Sequence, residues 1–375
     1  MQRVRPFSLL IKPVSADCNL RCRYCFYLDH LDFYPGKKHR MTDETLEAII
    51  RTYLSVPLHE HIFLWQGGEP TLMGLEFFER VAELQDRYSP PGGRVSNGLQ
   101  TNATLLTDEL ARHLKAHEYL VGVSIDGPPE IHDEHRLSTP GRATHEQVIA
   151  GLETLRKHGV ECNVLCVVTQ ANAPHGKEVY RYLKSLGFDF HQYIPCVEFD
   201  PAGALADFAV GGEAWGQFLS DVFEEWRKSD TRRVSVRQFD SIVNKLVLGR
   251  PTLCPMDTNC CQYFVVEFSG DVYPCDFFVR SELSLGNVRS HAWVEMLAEP
   301  KYVEFGARKP RWHSDCQRCD YLELCAGDCL KHRGPPGSAP ETKSVLCDGW
   351  KAFYSHSLPT FRSLAKEIER ELRTV

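Results

Sequence analysis

The sequence has no tandem repeat, no low-complexity tail and no Lys/Arg-rich run, and its formal net charge is -7. Nucleic-acid binding depends on clustered basic charge, so these absences make a nucleic acid a poor candidate partner. No apolar stretch approaches the ~18 residues that a membrane-spanning helix needs. The apolar run Phe7–Ile11 ends at Lys12 and Pro13, which makes it too short for a signal peptide and typical of a strand. We therefore expect a cytoplasmic protein without a membrane partner.

Cysteine is the unusual residue of this chain, which contains 15 of them. An odd number without a signal peptide argues against a disulfide framework, and clustered thiols in a reducing compartment more often bind metal or do redox chemistry. Three lie within Cys18–Cys25 and nine within Cys254–Cys347. The other three stand apart and are interpreted as buried apolar residues, namely Cys162, Cys166 and Cys196.

Strand and helix patterns alternate over the first ~200 residues. The predicted strands are Phe7–Lys12, His61–Trp65, Arg94–Gln100, Tyr119–Ile125, Glu161–Thr169 and His191–Pro195. The predicted helices between them are Thr42–Leu54, Leu75–Gln85, Thr107–Ala116, Thr144–His158 and Gly176–Leu186. This alternation predicts the α/β class and a partial (β/α)6 barrel of parallel strands, with chemistry at the C-terminal ends of the strands.

The pattern changes after residue 200. Two further helices are predicted at Glu213–Lys228 and Val236–Leu248, and a last one at Pro359–Leu372. The cysteine-rich segment between them has too few apolar runs to fold by burial alone, so we expect metal clusters to stabilise it. The predicted domains are the barrel (1–200), a helical linker region (201–250), a cysteine-rich domain (251–350) and a C-terminal helix (351–375).

The N-terminal cysteines Cys18, Cys22 and Cys25 follow the first predicted strand with the spacing C-x3-C-x2-C. Three thiolates on a short loop can hold three corners of a [4Fe–4S] cluster and leave the fourth iron open, whereas most electron-transfer clusters use four cysteines. The spacing therefore favours a cluster with chemistry at its open iron. The alternative is a zinc knuckle, which needs a fourth ligand such as His30.

This cysteine run resembles the signature of the radical S-adenosylmethionine (SAM) superfamily, which has an aromatic residue, here Tyr24, beside the last cysteine. The resemblance implies that SAM chelates the open iron and is cleaved to a 5′-deoxyadenosyl radical, which abstracts hydrogen from a substrate. Gln66-Gly67-Gly68-Glu69-Pro70 resembles the superfamily motif that contacts the amino group of SAM. Its two glycines allow a ligand to approach the backbone, although such a sequence also occurs in ordinary turns.

Ser124 and Asp126 end the fourth predicted strand, and Arg136 follows soon after. A hydroxyl and a guanidinium suit the ribose and the methionyl carboxylate of SAM. By resemblance, Ser124 and Arg136 contact this cofactor. Asp126 is either a further contact or a cap or turn residue.

The C-terminal cysteines form the strongest signal in the chain, Cys254-x5-Cys260-x9-Gly270-x4-Cys275 and then Cys316-x2-Cys319-x5-Cys325-x3-Cys329-x17-Cys347. Two [4Fe–4S] clusters with full cysteine ligation fit this number of thiols, although spacing alone also allows two zinc sites. The array resembles the SPASM extension of radical SAM enzymes that modify peptides and proteins. The resemblance implies one auxiliary cluster on Cys254, Cys260, Cys275 and Cys329 and another on Cys316, Cys319, Cys325 and Cys347, with Cys261 as a spare.

Within this group, the chain resembles the anaerobic sulfatase-maturating enzymes over nearly its whole length. The likeness lies in Ser8–Pro13, Phe26–Tyr27, Gln66–Thr71, Gly74–Phe78, Leu99–Asn102 and Tyr273–Phe277. Those enzymes oxidise an active-site Cys or Ser of a sulfatase to Cα-formylglycine. The resemblance implies three [4Fe–4S] clusters, SAM, an unfolded or nascent sulfatase as substrate, and a flavodoxin- or ferredoxin-type electron donor.

Asp276 follows Cys275 and matches the base proposed for that family. As the radical takes hydrogen from the substrate Cβ, such a carboxylate accepts the thiol or hydroxyl proton. The departing electron is expected to enter an auxiliary cluster. By resemblance, Tyr27, Gln66 and Gln100 contact the substrate. The alternative role of Asp276 is a hydrogen bond that rigidifies the cluster loop.

Two other functions remain open at this point. One is a different SPASM enzyme, which forms thioether or carbon–carbon crosslinks or epimerises residues. Such enzymes often carry an additional N-terminal domain, and we expect none here because the first strand begins by Phe7. The other is a zinc-bound scaffold without catalysis, which iron content and a brown colour would exclude.

Overall fold

The structure is a computed structural model, which describes residues 4–30 and 33–373. The β-strands in this part of the chain are β1 (Ser8–Lys12), β2 (Glu60–Trp65), β3 (Arg94–Thr101), β4 (Leu120–Ser124), β5 (Glu161–Val168), β6 (Phe190–Pro195), β7 (Ser235–Val236), β8 (Tyr263–Glu267), β9 (Asp271–Tyr273) and β10 (Gly286–Asn287). Strands β1–β6 confirm the six that the sequence predicts. The later strands β8–β10 lie in the cysteine-rich segment.

The α-helices over the same residues are α1 (Asp43–Leu54), α2 (Leu75–Tyr88), α3 (Asp108–Ala116), α4 (Pro129–His135), α5 (His145–Lys157), α6 (Gly176–Ser185), α7 (Gly212–Ser229), α8 (Arg237–Leu248), α9 (Trp293–Ala298), α10 (Pro300–Ala307), α11 (Ser314–Gln317), α12 (Leu322–Cys325) and α13 (Cys347–Arg373). The predicted helices up to α8 are confirmed, and α4 is an addition to them. Over the described residues, no helix has both the length and the apolar character that crossing a bilayer requires.

The chain divides into two compact units, of which the first consists of Met1–Ser124, Arg136–Cys162 and Cys261–Gly306. Its strands follow the order β10-β9-β8-β1-β2-β3-β4. The strands from β8 to β4 pair in parallel, while β9 and β10 are antiparallel additions. Strand β8, which comes from the C-terminal third of the sequence, therefore extends this sheet and lies directly beside β1.

Aromatic side chains form much of the core of this unit. Phe63 and Trp65 alternate with more exposed residues along β2 and are fully buried. Their rings pack on Tyr53 of α1 and Phe77 of α2, with centroid separations of 5.1 and 5.6 Å. Helix α1 begins at a favourable cap, since the Thr42 hydroxyl accepts a hydrogen bond from the Thr45 amide. Helices α1 and α2 thus cover this face of the sheet.

The second unit consists of Ile125–His135, Asn163–Cys260 and Ala307–Val375. It contains β5 from Asn163 onward, paired in parallel with β6, which pairs in parallel with β7. Helices α7 and α13 pack closely through glycines. A Cβ added to Gly349 would lie 1.8 Å from the Gly212 carbonyl oxygen, so only glycine permits this approach.

The last helix is longer than the sequence predicts. The prediction placed its start at Pro359, where a charged and amphipathic pattern begins. In the structure Pro359 lies inside α13, which begins at Cys347. The buried side chains of Trp350, Phe353 and Tyr354 extend the apolar face of the helix toward its N-terminus and hold the preceding turns in place.

Candidate active site

The N-terminal thiols lie on the loop that leaves β1. The Cys18 thiol is surrounded by protein, and burial raises its pKa to about 12, with smaller contributions from Glu69, Cys22 and Cys25. Burial and the neighbouring Cys22 raise the pKa of Cys25 to about 11. The three predicted ligand thiols are therefore close enough to interact electrostatically. As metal ligands they must lose their protons, so metal binding here releases protons.

The Glu69 carboxylate lies beside these thiols and is fully buried. One oxygen, Oε1, accepts hydrogen bonds from the Thr71 amide, the Thr71 hydroxyl and the Thr101 hydroxyl at 3.0, 2.7 and 2.8 Å. The other, Oε2, accepts one from the Asn102 amide at 2.7 Å. Burial raises the pKa of Glu69, and these donors oppose that shift. Oε2 has capacity for one more donor, as a ligand ammonium group would supply.

Gly67 and Gly68 bring the Glu69 loop against the backbone that precedes Cys18. The amides of Gly68 and Glu69 donate to the carbonyls of Ser15 and Asp17 at 2.7 and 2.8 Å. A Cβ on Gly68 would lie 1.9 Å from the Asp17 oxygen, and Gly67 has a φ of +126°. Glycine is thus required here to join the carboxylate loop to the thiol loop, a reason that the sequence prediction did not include.

Tyr24, Ser124 and Arg136 are all buried in the first unit. The Arg136 guanidinium lies 5.4 Å from the ring centroid of Tyr24, and its charge also opposes the rise in the Cys25 pKa. The structure thus places Tyr24 and Arg136 beside the thiol loop. Asp126 belongs to the second unit, where its carboxylate accepts the Val167 amide at 2.9 Å, which fits the turn role that the sequence left open.

Asp276 is the centre of a buried polar group. Its carboxylate accepts hydrogen bonds from the Tyr27 hydroxyl at 2.7 and 2.8 Å and from the Gln66 amide nitrogen at 2.9 Å. The Lys12 ammonium lies 2.6 Å from Oδ1 of Asp276 and 3.5 Å from Oε1 of Glu267. Three residues singled out from the sequence, Tyr27, Gln66 and Asp276, are therefore brought together.

Lys12 and Glu267 are members of this group that sequence reasoning missed. They are neighbours because β1 pairs with β8 in a register that places Lys12 opposite Glu267. Burial lowers the pKa of Lys12, but the Asp276 and Glu267 carboxylates outweigh it and raise that pKa above its ordinary value. The ammonium also lies 4.3 Å from the Tyr27 ring centroid. The sequence shows only a lysine at a strand end, which ordinarily indicates a solvent-exposed side chain.

Gln100 follows Leu99, which is in register with Trp65, the residue before Gln66, so the two glutamines follow paired positions on neighbouring strands. Gln100 is half-buried in β3, where it is in register with Gly122 of β4. The following residues of the same segment, Thr101 and Asn102, support Glu69, and the Asn102 side-chain amide lies 3.7 Å from the Cys18 sulfur. These two residues thus connect the end of β3 to the thiol loop.

The C-terminal thiols are divided between the two units. In the second unit, burial raises the pKa of Cys254 to about 12, and Cys329 and Cys260 contribute to this shift. In the first unit, the Cys275 sulfur lies 3.4 Å from the Tyr263 hydroxyl. The Cys261 thiol is buried and donates to the Tyr302 carbonyl at 3.0 Å. Cys260 rather than Cys261 is thus grouped with Cys254 and Cys329.

The other four thiols surround one cavity in the second unit, and they are Cys316, Cys319, Cys325 and Cys347. Aromatic rings of Tyr321, Trp350 and Tyr354 complete its wall. In the part of the chain that the structure describes, no three Cys, His, Asp or Glu side chains are grouped as tightly as a single metal ion requires. A cluster of several irons holds its thiolates further apart than one ion does, and a cavity walled by four thiols fits it.

Comparison with known proteins identifies two family models along the chain. The radical SAM superfamily matches residues 13–189, and an iron–sulfur cluster-binding domain, SPASM, matches residues 254–320. These matches confirm the fold class predicted from the sequence.

The relatives cover almost the whole chain. The serine-type anaerobic sulfatase-maturating enzyme of Bacteroides thetaiotaomicron is 37% identical over 97% of this chain and 92% of its own length. The cysteine-type enzyme of Clostridium perfringens is 36% identical over 97% of this chain and all of its own length. The solved structure of native anSMEcpe with bound AdoMet and the Cp18Cys peptide has a TM-score of 0.89 and 37% identity, and the match covers 97% of this chain and 100% of that one.

Proposed function

The chain belongs to the anaerobic sulfatase-maturating enzymes, and from this membership we propose that it oxidises the active-site Cys or Ser of a sulfatase to Cα-formylglycine. The observation that carries the proposal is the buried group around Asp276, which joins a carboxylate to Tyr27, Gln66 and Lys12. Its place in the first unit, which also contains the N-terminal thiols, fits a proton acceptor for a substrate side chain.

The residues fit three [4Fe–4S] clusters and SAM. Cys18, Cys22 and Cys25 would hold the catalytic cluster, while the free oxygen lone pair of Glu69 suits the methionyl ammonium. Tyr24, Gly67, Gly68, Ser124 and Arg136 are the further proposed contacts of SAM. When bound, SAM and this cluster supply a radical that removes hydrogen from the substrate Cβ, and the auxiliary clusters supply an acceptor for the second electron.

The auxiliary clusters are assigned by ligand set. We propose Cys254, Cys260, Cys275 and Cys329 for one and Cys316, Cys319, Cys325 and Cys347 for the other. The cavity walled by the second set supports that assignment. The engagement of Cys261 with the Tyr302 carbonyl supports Cys260 as the ligand of the first set.

Asp276 is proposed to accept the proton of the substrate thiol or hydroxyl. The Tyr27 hydroxyl shares its one hydrogen between Oδ1 and Oδ2, Gln66 donates to Oδ2, and the Lys12 ammonium lies 2.6 Å from Oδ1. A carboxylate has about four acceptor sites, so these three groups leave about one site for the substrate proton. Gln66 is half-buried, whereas Lys12 is fully buried and keeps the carboxylate oriented.

The partners follow from this chemistry. The substrate is proposed to be an unfolded or nascent sulfatase segment, because a folded active site would not present its side chain to a buried carboxylate. Gln100 is retained as a proposed contact of that segment. A flavodoxin- or ferredoxin-type protein is proposed as electron donor. Fifteen free thiols, together with oxygen-sensitive clusters, suit a reducing compartment, and we propose the cytoplasm.

We also propose the functional division that the sequence suggested, with boundaries at 1–200, 201–250, 251–350 and 351–375. The two family matches lie within the first and the third of these segments. The division describes functional segments, whereas the two compact units describe packing.

The deciding experiment is anaerobic incubation of the reduced, reconstituted enzyme with SAM and matched sulfatase peptides that carry Cys, Ser or Ala at the target position. Mass spectrometry should find an aldehyde at Cys, Ser or both, trapped by a hydrazine reagent, and none at Ala or without SAM. A crosslink or a change of stereochemistry in place of the aldehyde would refute the proposed reaction and favour another SPASM activity.

A further inference from the structure

Lys309 is a fully buried lysine in the second unit. Its ammonium donates to three backbone carbonyls, those of Pro255 at 2.8 Å, Ala326 at 3.3 Å and Asp328. Each carbonyl belongs to a residue next to a proposed cluster ligand, namely Cys254, Cys325 and Cys329. The lysine therefore joins loops that carry ligands of both auxiliary clusters.

Arg333 is a second buried cation at the same place and is 2% exposed. Its guanidinium donates to the Gly327 carbonyl at 2.9 Å and to the Lys309 carbonyl at 2.9 Å. It also contacts the carbonyls of Ala326 and Asp328 at 3.4 and 3.3 Å. Both cations are thus bound by the carbonyls of the loop between Cys325 and Cys329.

The loop between Cys325 and Cys329 has an unusual backbone conformation, which its hydrogen bonds to the two cations stabilise. Three consecutive residues, Ala326, Gly327 and Asp328, have positive φ values of 49°, 71° and 60°. The left-handed region is unfavourable for alanine and aspartate. The carbonyls of all three residues accept hydrogen bonds from Lys309 or Arg333. The loop is therefore shaped to coordinate positive charge.

The protein provides too little negative charge to balance these cations. Within the described residues, neither Lys309 nor Arg333 forms an ion pair with a carboxylate. The buried Asp328 carboxylate interacts electrostatically with both cations, and its Oδ2 also accepts from His332 and Ser344 at 3.0 and 2.7 Å. One carboxylate for two buried cations leaves a positive charge without a counter-charge, which is strongly unfavourable.

Cysteines flank the carbonyls that bind these cations. The Lys309 ammonium binds the carbonyls of Pro255, Ala326 and Asp328, which are adjacent in sequence to Cys254, Cys325 and Cys329. The Arg333 guanidinium contacts the carbonyls of Ala326 and Asp328 in the same loop. The missing counter-charge is therefore available when these cysteines are thiolates on iron.

We propose that Lys309 and Arg333 form a cationic bridge between the two auxiliary clusters, which raises their reduction potentials and so favours the uptake of the substrate electron. The inference rests on the proposed function for the presence of the clusters. A cluster with four thiolates is an anion and gains a further negative charge on reduction, so a fixed positive charge stabilises the reduced form more. Lys309 and Arg333 are positioning residues, since they touch neither substrate nor SAM.

The test is a redox titration of the auxiliary clusters, monitored by electron paramagnetic resonance. The full-length chain carries Cys18→Ala, Cys22→Ala and Cys25→Ala, so that only auxiliary clusters contribute to the signal. Lys309→Gln removes the charge but keeps a donor for the carbonyls. We expect auxiliary iron to be retained and the equilibrium constant for reduction to fall about tenfold, which for a one-electron couple equals about 59 mV.

Two controls separate charge from geometry. Lys309→Arg keeps the charge with altered hydrogen bonds and should hold the potential near that of the parent chain. Lys301→Gln removes an exposed lysine that also donates to a carbonyl, that of Ser284 at 3.1 Å, and should change nothing. An unchanged potential in Lys309→Gln, or an equal change in Lys309→Arg, overturns the inference.

Loss of iron is also decisive. If Lys309→Gln fails to hold auxiliary iron, retention of iron by Lys309→Arg supports the bridge, and equal loss in both variants overturns it. Peptide oxidation is measured separately in the chain with all clusters. Formylglycine formation with unchanged potentials in Lys309→Gln would overturn the bridge alone, whereas shifted potentials without any formylglycine would overturn the proposed function alone.

Discussion

The replacement Asp276→Asn tests the proposed proton acceptor most directly. Asparagine keeps the size of the side chain and one acceptor oxygen, which can still bind Lys12 and Tyr27. Its amide nitrogen then replaces the oxygen that accepts from Gln66 at 2.9 Å, and the Gln66 side chain must turn. Lys12 retains Glu267 at 3.5 Å. The structural cost is therefore that of one disturbed buried hydrogen bond, about 1–3 kcal/mol.

The chemical cost should be much larger. An amide does not accept a proton at neutral pH, so the full contribution of general-base catalysis is lost. That contribution is typically ~10²–10⁴-fold, and we expect formylglycine formation to fall by about this factor. A Ser peptide should suffer more than a Cys peptide, because an alcohol releases its proton less readily than a thiol.

The assay compares three quantities in the same reconstituted sample: formylglycine from Cys and Ser peptides, 5′-deoxyadenosine from SAM, and iron content. Cofactor cleavage and iron should stay near wild type while formylglycine falls. Glu282→Gln, which removes an exposed carboxylate from the same segment, is the matched control and should behave as wild type. Loss of iron in Asp276→Asn would show that the carboxylate rigidifies the cluster loop. Wild-type peptide oxidation would place the base elsewhere.

Three further predictions concern other parts of the molecule. Ala at positions 18, 22 and 25 together should abolish SAM cleavage and reduce iron from about twelve to about eight atoms per chain; cleavage at the wild-type rate would refute the catalytic-cluster assignment. Glu69→Gln should weaken SAM binding about ten- to hundredfold, because it removes a charged hydrogen bond to the ammonium; calorimetric titration giving unchanged affinity would exclude that contact. Lys12→Met should lower the free energy of unfolding, measured with denaturant, by about 3–5 kcal/mol, since it leaves two buried carboxylates unpaired. Adding Glu267→Gln should restore part of this loss. If the free-energy changes of the two replacements simply add, the residues are not coupled.

Local sequence patterns predicted the elements whose form depends on nearby residues. Alternation predicted β2 because Phe63 and Trp65 lie on the same buried face of the strand, and the close spacing of Cys316, Cys319 and Cys325 brings their thiols to one cavity. Helix α13 was predicted only in part, because the residues that extend it are fixed by packing in the second unit. The sequence pattern within Pro359–Leu372 does not predict that packing.

Among the residues that the sequence did not reveal are two buried lysines. Lys12 ends an apolar strand and Lys309 lies between turns, positions where a lysine is ordinarily exposed. Lys12 is buried only because β8, from the other end of the sequence, pairs with β1 and brings Glu267 beside it. Lys309 is buried because two separate segments, at Pro255 and at Ala326–Asp328, direct three carbonyls at its ammonium. Neither condition is visible in a window of neighbouring residues.

Charge balance explains why the Lys12 ammonium lies beside two carboxylates rather than one. With Asp276 and Glu267 both ionised, the group has one more negative than positive charge. A proton that arrives at Asp276 brings the group to neutrality, and Lys12 then keeps Glu267 as its partner. Without Glu267, the same proton transfer would leave the ammonium buried and unpaired, which is strongly unfavourable. Glu267 would therefore assist Asp276 in its proposed role as proton acceptor, although it lies on a strand that contains no cluster ligand.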